Sequence, residues 1–265
     1  MKVYVSADIE GIAGVTHWDE TEIGKPGYEA SRRQMAAEVR AACEGAAQAG
    51  AREILVKDAH DTGRNLTPAD LPPGTELHRG WASHPLAMVE GLDPSFAGLL
   101  LVGYHAPAGS VGSPLAHTLS PQLHAVTIND RPASELLLVV HSAAYVGVPL
   151  LFVSGDAETC AEAQRLNPHI ITTAVKRGVG GATVSVDAGR AVEGIRTGVT
   201  AALTGDPARC LIALPERFSV GITYRDHPPA YRASFYPGAS LTGPRSVGFS
   251  ASDFLDVLRF LMFVA

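Results

Sequence analysis

Residues 2–10 read KVYVSADIE, and the fold follows from how often that arrangement recurs. Lys2–Ala7 has the β-branched and aromatic content of a strand, and it runs into two acids one residue apart, Asp8 and Glu10. EILVK at 53–57 leads into Asp58-Ala59-His60, GLLLVGY at 98–104 leads into His105, and LLFVS at 150–154 leads into Gly155-Asp156. The continuous apolar run at 98–104 predicts a strand buried on both faces. Ala125–Ile128 and Ile170–Val175 add two further strands. Helical stretches lie between them, from Tyr28 to about Ala49 with Gly50 as its stop, and over Ala133–Tyr145 and Ala157–Leu166. Alternation of this kind predicts an α/β fold, a mostly parallel sheet with helices on both faces.

Beyond Ala188 the texture changes. A helix over Gly189–Leu203 leads to a strand pair around Leu211–Tyr224 and Arg245–Ser250. A last helix spans Ser252–Phe263, capped by Ser252 or Ser250. Asp226–Gly243, with its prolines and glycines, shows no clear element. The expected division is therefore an α/β domain at 1–188 and a smaller α+β subdomain at 189–265.

The bulk numbers exclude several classes. With 265 residues, 46% of them hydrophobic and 18% charged, the chain can bury a sizeable core and does not read as disordered. A net charge of −6 with no basic stripe argues against nucleic acid as a partner. Cys43, Cys160 and Cys210 are odd in number and form no CxxC, which fits a reducing compartment, the cytoplasm. No signal peptide precedes the first strand. The apolar tail Phe254–Ala265 contains Asp256 and Arg259 and is too short to cross a bilayer, so it reads as a core helix or a subunit contact and no membrane is expected.

Ligands of an open parallel sheet bind beyond the carboxyl ends of its strands. Acids and imidazoles collect at that rim here. Asp8 and Glu10, two residues apart in extended chain, face the same way, and their mutual repulsion is relieved by a cation between them. The plain alternative is an acid pair on a turn. His60 has Asp58 two residues before it, either as an orienting carboxylate or as a turn residue. His105 closes a buried strand and needs partners for both ring nitrogens. His117 follows the Gly- and Pro-containing loop Ala108–Pro114, and Glu135 stands near a helix start, where an acid also complements the helix dipole. Three carboxylates and two imidazoles form a donor set suited to Zn²⁺ or Mn²⁺. Their charge nearly balances two divalent ions, with Asp8 on the central strand as the natural bridge.

Competing motifs are thin. Gly11–Gly14 and the glycine cluster Gly178–Gly181 match neither a dinucleotide fingerprint nor a phosphate loop and read as tight turns. No GxSxG elbow is present. His17-Trp18 either lines a pocket or packs as a loop aromatic. His78, His84, His124, His141, His169 and His227 read as structural.

Ser6–Gly14, Val56–His60, Gly103–Ala106, Ala116–Thr118, Ile128–Leu136 and Ala174–Lys176, in this order and spacing, resemble the zinc-dependent D-aminopeptidases of bacterial dipeptide-transport operons. The resemblance implies that Asp8, Glu10, His60, His105 and Glu135 ligate two zinc ions per subunit, with Mn²⁺ or Co²⁺ as alternative metals, and that His117 is catalytic. It also implies release of N-terminal D-amino acids from short peptides and a ring-stacked, ten-subunit homo-oligomer. Two other readings stay open on the residues alone. One is a two-metal hydrolase of a phosphoester or cyclic amide. The other is a metal-binding module without turnover.

Overall fold

The computed structural model describes residues 1–265. The first half of the chain forms β1 (Lys2–Ala7), α1 (Tyr28–Gln48), β2 (Glu53–Asp58), β3 (Thr75–His78), β4 (Gly98–Tyr104), β5 (Leu123–Ile128) and β6 (Arg131–Pro132). It continues with α2 (Glu135–Val146), β7 (Leu150–Asp156), α3 (Ala157–Leu166), β8 (Ile171–Val179), β9 (Ala182–Ser185) and α4 (Ala188–Thr204). The remainder holds β10 (Phe218–Tyr224), α5 (His227–Ala233), β11 (Ser240–Gly243), β12 (Ser246–Ala251) and α6 (Phe254–Val264). No helix is long and apolar enough to cross a membrane.

The main sheet runs β3-β2-β1-β4-β7-β8-β9 and is parallel except for the β8–β9 hairpin at its edge. Alternate residues of the central strands face opposite layers, as the period of two requires. Val3, Val5 and Ala7 of β1, with Leu100 and Val102 of β4, pack in one core with α1 and α4. Tyr4, Leu99 and Leu101 face the other way, into a core completed by α2, α6 and a second sheet. Burial on both faces explains why β4 carries no charged side chain. The second sheet is antiparallel, in the order β11-β12-β10-β5-β6.

That second sheet draws strands from both sides of residue 188. It takes β5 and β6 from the first half of the chain and β10 to β12 from the second, while α4 packs on α1 and β8 of the main sheet. The two sheets interleave along the chain, because β5, beside its short pairing with β6, is completed on its other edge by β10, some 90 residues later. Other details also differ. The segment Asp226–Gly243 contains α5 and β11. Pro228 and Pro229 sit in the first turn of α5, where a missing N–H costs nothing, yet they disguise the helix in the sequence. The last helix is capped by Asp253, whose carboxylate accepts from the Leu255 N–H at 2.8 Å, and not by Ser252 or Ser250. It is a core helix, with Phe254, Val257, Phe260 and Val264 buried.

Candidate metal centre

The rim of the main sheet assembles the six side chains singled out in the sequence into one cluster. Asp8 and Glu10 follow β1 and are 2% exposed. Their backbone is threaded against β4: Asp8 N donates to Val102 O at 2.9 Å and Gly11 N to Gly103 O at 2.8 Å. This close approach needs glycine on both sides. A Cβ on Gly11 would lie 1.9 Å from Tyr104 O, and one on Gly103 would lie 2.2 Å from Asp8 O. Two buried groups hold the loop after Glu10. Lys176 of β8 donates to Glu10 O and, at 2.6 Å, to Val15 O; Glu38 of α1 accepts from the Ala13 N–H at 3.0 Å.

His60 follows β2 and His105 follows β4. Asp58 does not orient His60. Its carboxylate accepts from Asn65 N, Leu66 N and Asn65 Nδ2 at 2.6–2.9 Å and so shapes the loop beyond. Asp156 likewise caps α3 and holds Ala106 N, outside the cluster. His117 comes from the loop after β4 and stacks on His105, ring centroids 4.3 Å apart and 8° from parallel. Glu135 is the first residue of α2, whose N-cap Ser134 accepts from Leu137 N at 2.9 Å. Leu119, in left-handed backbone at φ 62°, directs its N–H onto Glu135 Oε1 at 2.7 Å.

All three imidazoles are fixed in one way. His60 Nε2 faces Thr21 O at 2.8 Å, His105 Nδ1 faces Ala106 O at 3.0 Å and His117 Nδ1 faces Leu115 O at 2.9 Å. With one ring N–H engaged by a main-chain carbonyl, each ring turns its other nitrogen toward the carboxylates, the arrangement metal-binding histidines adopt. His60 Nδ1 lies 3.2 Å from Asp8 Oδ1 and 3.0 Å from Glu10 Oε2. His105 Nε2 lies 3.6 Å from Asp8 Oδ2 and 3.3 Å from Glu135 Oε2. His117 Nε2 lies 4.0 Å from Glu10 Oε1 and 3.6 Å from Glu135 Oε1. The two oxygens of Asp8 thus face different imidazoles.

Protein groups alone do not satisfy this cluster. Glu10 Oε2 and His105 Nε2 are buried and make no hydrogen bond despite the short separations. Burial and the neighbouring Glu10 push the Asp8 carboxyl well up. For Glu10 burial acts in the same direction, but the charges of His60, His117 and His105 outweigh it and hold the carboxyl well down. Burial opposes charge on His105, yet Glu135, Glu10 and Asp8 push it up to about 10. Glu135 is held at about 2, burial being overcome by His105 and His117. A cation among these groups would relieve this opposition between burial and charge. Two overlapping donor groups have the compactness a cation needs: Asp8, Glu10 and His105, and His105, His117 and Glu135, with ligand atoms within 4.8 Å of one another. Nitrogen and oxygen donors of this kind fit a divalent, zinc-like ion.

Above the cluster opens a pocket of about 350 Å³, walled by Trp18 on one side and Trp81 on another. Trp18 meets the His117 ring edge-on at 5.2 Å, so it lines the pocket, while His17 caps the short turn before it. Trp81 was not singled out in the sequence, and Lys57, which its ring covers, stood there only as part of the second strand and of the Val56–His60 stretch. A lysine inside an apolar strand was their only signal.

Comparison with known proteins agrees with this geometry. The family model for D-aminopeptidases of peptidase family M55 matches residues 1–263. A D-aminopeptidase of Bacillus subtilis (strain 168) is 34% identical over 264 residues, covering 99% of this chain and 96% of the relative. Among solved structures, the Zn-dependent D-aminopeptidase DppA from Bacillus subtilis, described as a self-compartmentalizing protease, superposes with a TM-score of 0.92. It has 32% identity and covers 100% of this chain and 96% of that one. A match spanning both sheets and the whole rim is a match to the complete architecture, and the chain belongs to the M55 family of D-aminopeptidases.

Proposed function

We propose that this chain is a zinc-dependent aminopeptidase that removes N-terminal D-amino acids from short peptides. In this reading Asp8, Glu10, His60, His105 and Glu135 would hold two zinc ions, and His117 handles the proton. The observation that carries it is the common orientation of three carbonyl-anchored imidazoles toward three buried carboxylates, with Glu10 Oε2 and His105 Nε2 buried and without a hydrogen bond. Zinc, when bound, supplies Lewis acidity toward a carbonyl and toward water.

The chain's own residues do the rest. The pocket has the size of a small-ligand site and takes a short peptide between Trp18 and Trp81. With Nδ1 anchored on Leu115 O, His117 turns its Nε2 toward the cluster. It accepts a proton from the attacking water, whose oxygen bonds to the peptide carbon, and delivers a proton to the amine as the C–N bond breaks. Trp18 and the stacked His105 ring hold it in that orientation.

The assembly reading rests on DppA being described as self-compartmentalizing, and on outward-facing Tyr231, Phe235 and Phe263, which suit contacts between copies of this chain. We place the enzyme in the cytoplasm as a homodecamer, to be checked by light scattering. The decisive experiment for the activity measures zinc per subunit together with hydrolysis of a matched D and L dipeptide pair. Two zinc ions and preferential cleavage of the D-peptide are expected. Full peptidase activity after complete metal removal defeats the proposal, and an unchanged rate in His117→Ala defeats the role given to His117.

A further inference from the structure

Five carboxylates line the pocket, and the cluster uses three of them. Of the other two, Glu22 faces Lys25 Nζ at 3.9 Å. The carboxylate of Asp61 makes neither a hydrogen bond nor an ion pair; only its carbonyl is engaged, by Trp81 Nε1 at 2.7 Å. Asp61 is exposed, stands one residue after His60 and adopts left-handed backbone at φ 46°.

The wall that fixes Asp61 is unusually well founded. Lys57 is fully buried and paired with the buried Glu90 at 2.8 Å. Its ammonium lies 4.1 Å from the Trp81 ring and donates to Gly80 O, while Ala82 N donates to both Glu90 oxygens at 3.1 Å. The residues before and after Trp81 are therefore both anchored to one buried ion pair, and the indole N–H reaches across to Asp61. Burying such a pair costs free energy that a hydrophobic replacement would save. Nothing in the hydrolytic chemistry uses it. Its one visible result is a rigid Trp81–Asp61 edge beside the cluster.

We infer that Asp61 receives the free α-ammonium of the substrate peptide, with Trp81 as its positioning residue. This rests on the aminopeptidase reading, which brings one cation into the pocket. The ammonium nitrogen and the carbonyl carbon of one amino acid are two bonds apart. That spacing suits a carboxylate adjacent in the chain to His60, with the carbonyl at the cluster. The rest of the lining near the cluster, Trp18, Met88, Leu119 and Pro121, offers no anion to compete.

The test uses zinc-loaded enzyme, a D-alanyl dipeptide and its des-amino analogue, in wild type, Asp61→Asn and Trp81→Phe. Both tryptophans of the chain line the pocket, so their emission reads binding without turnover. A charge-assisted contact predicts that Asp61→Asn raises KM roughly 10- to 100-fold, with kcat changed less than about threefold and zinc content unchanged. Wild type should bind the dipeptide tighter than the analogue by a similar factor, and Asp61→Asn should erase that preference. Trp81→Phe, which keeps a ring but loses the N–H, should raise KM by a smaller factor. An Asp61→Asn enzyme with wild-type KM and preference overturns the inference, as does one losing kcat at constant KM. A wild type that cleaves the dipeptide yet binds the analogue equally well overturns it while leaving the aminopeptidase reading intact. A zinc-loaded wild type that cleaves no dipeptide removes that reading itself.

Discussion

Glu38→Gln should stabilise this protein at alkaline pH and do little in acid. Glu38 is fully buried under the loop that follows Glu10. One carboxylate oxygen accepts from Ala13 N at 3.0 Å and Gln34 Nε2 at 2.9 Å, and the other has no partner. Burial pushes the carboxyl from 4.5 up to about 7, more than Gln34, Ala13 and the nearby Lys176 can offset. Between these two values the folded state keeps a proton that the unfolded state has released, so stability falls as pH rises through the window and levels off above it. The loss amounts to about 3 kcal/mol at pH 8 and less than about 1 kcal/mol at pH 5. Glutamine keeps the shape and the acceptor without the charge. The variant should therefore exceed wild type by about 2–3 kcal/mol more at pH 8 than at pH 5, a gain of roughly 2–4 °C in Tm per kcal/mol for a chain of this size. Calorimetry or urea unfolding of both zinc-saturated proteins at the two pH values measures it. An equal gap at both pH values, or a variant less stable than wild type at pH 8, refutes the reasoning.

Gly11→Ala drives a methyl group to 1.9 Å from Tyr104 O and 2.5 Å from Gly103 O, both main-chain atoms, and so shifts Asp8 and Glu10 away from His105. Zinc affinity should fall about 10- to 100-fold, measured by titration against a competing chelator; wild-type affinity would contradict the packing argument. His141, buried against Phe218 and Phe254, has its pKa lowered to about 4 by burial. Below pH 6.5 the unfolded chain binds a proton that the folded chain refuses, so about 2 kcal/mol of stability is lost between pH 7 and pH 5. Urea titrations should show that component missing in His141→Leu. Removing metal with a chelator should abolish peptide hydrolysis and lower Tm, the stability lost being about 2.7 kcal/mol relative to protein at zinc 100-fold above Kd. A melting curve indifferent to zinc would speak against a structural fit between cluster and ion.

The legible part of this molecule was the part governed by local periodicity and by strand ends. β1, β2, β4 and β7 are short apolar runs with polar residues after them, and the parallel sheet follows from their alternation with helices. Asp8, Glu10, His60 and His105 were readable because a sheet rim gathers whatever stands at its strand ends. Main-chain geometry was not readable. The carbonyls of Thr21, Ala106 and Leu115 that fix the imidazoles leave no trace in residue identity. β3 is four residues long and only partly buried, so it shows no clean alternation. The second sheet escaped because β5 and β10 are far apart in the chain, and pairing between distant segments has no local signature. Asp58 misled for a different reason: a buried acid two residues before a histidine looks like its partner, but Asn65 and Leu66 supply nearer donors.

The interleaving of the two sheets sets an order of events during synthesis. Asp8, Glu10, His60 and His105 leave the ribosome on strands that can pair early, since β1, β2 and β4 are mutual neighbours. Glu135 leaves it soon after, behind the short β5–β6 pair, whose other edge has no neighbour until β10 emerges. A nascent chain halted before residue 218 therefore carries every donor of the cluster and lacks the strand that covers the outer edge of β5. Completion of the sheet that leads into α2 is in this sense a late step, set by a strand that contributes no donor.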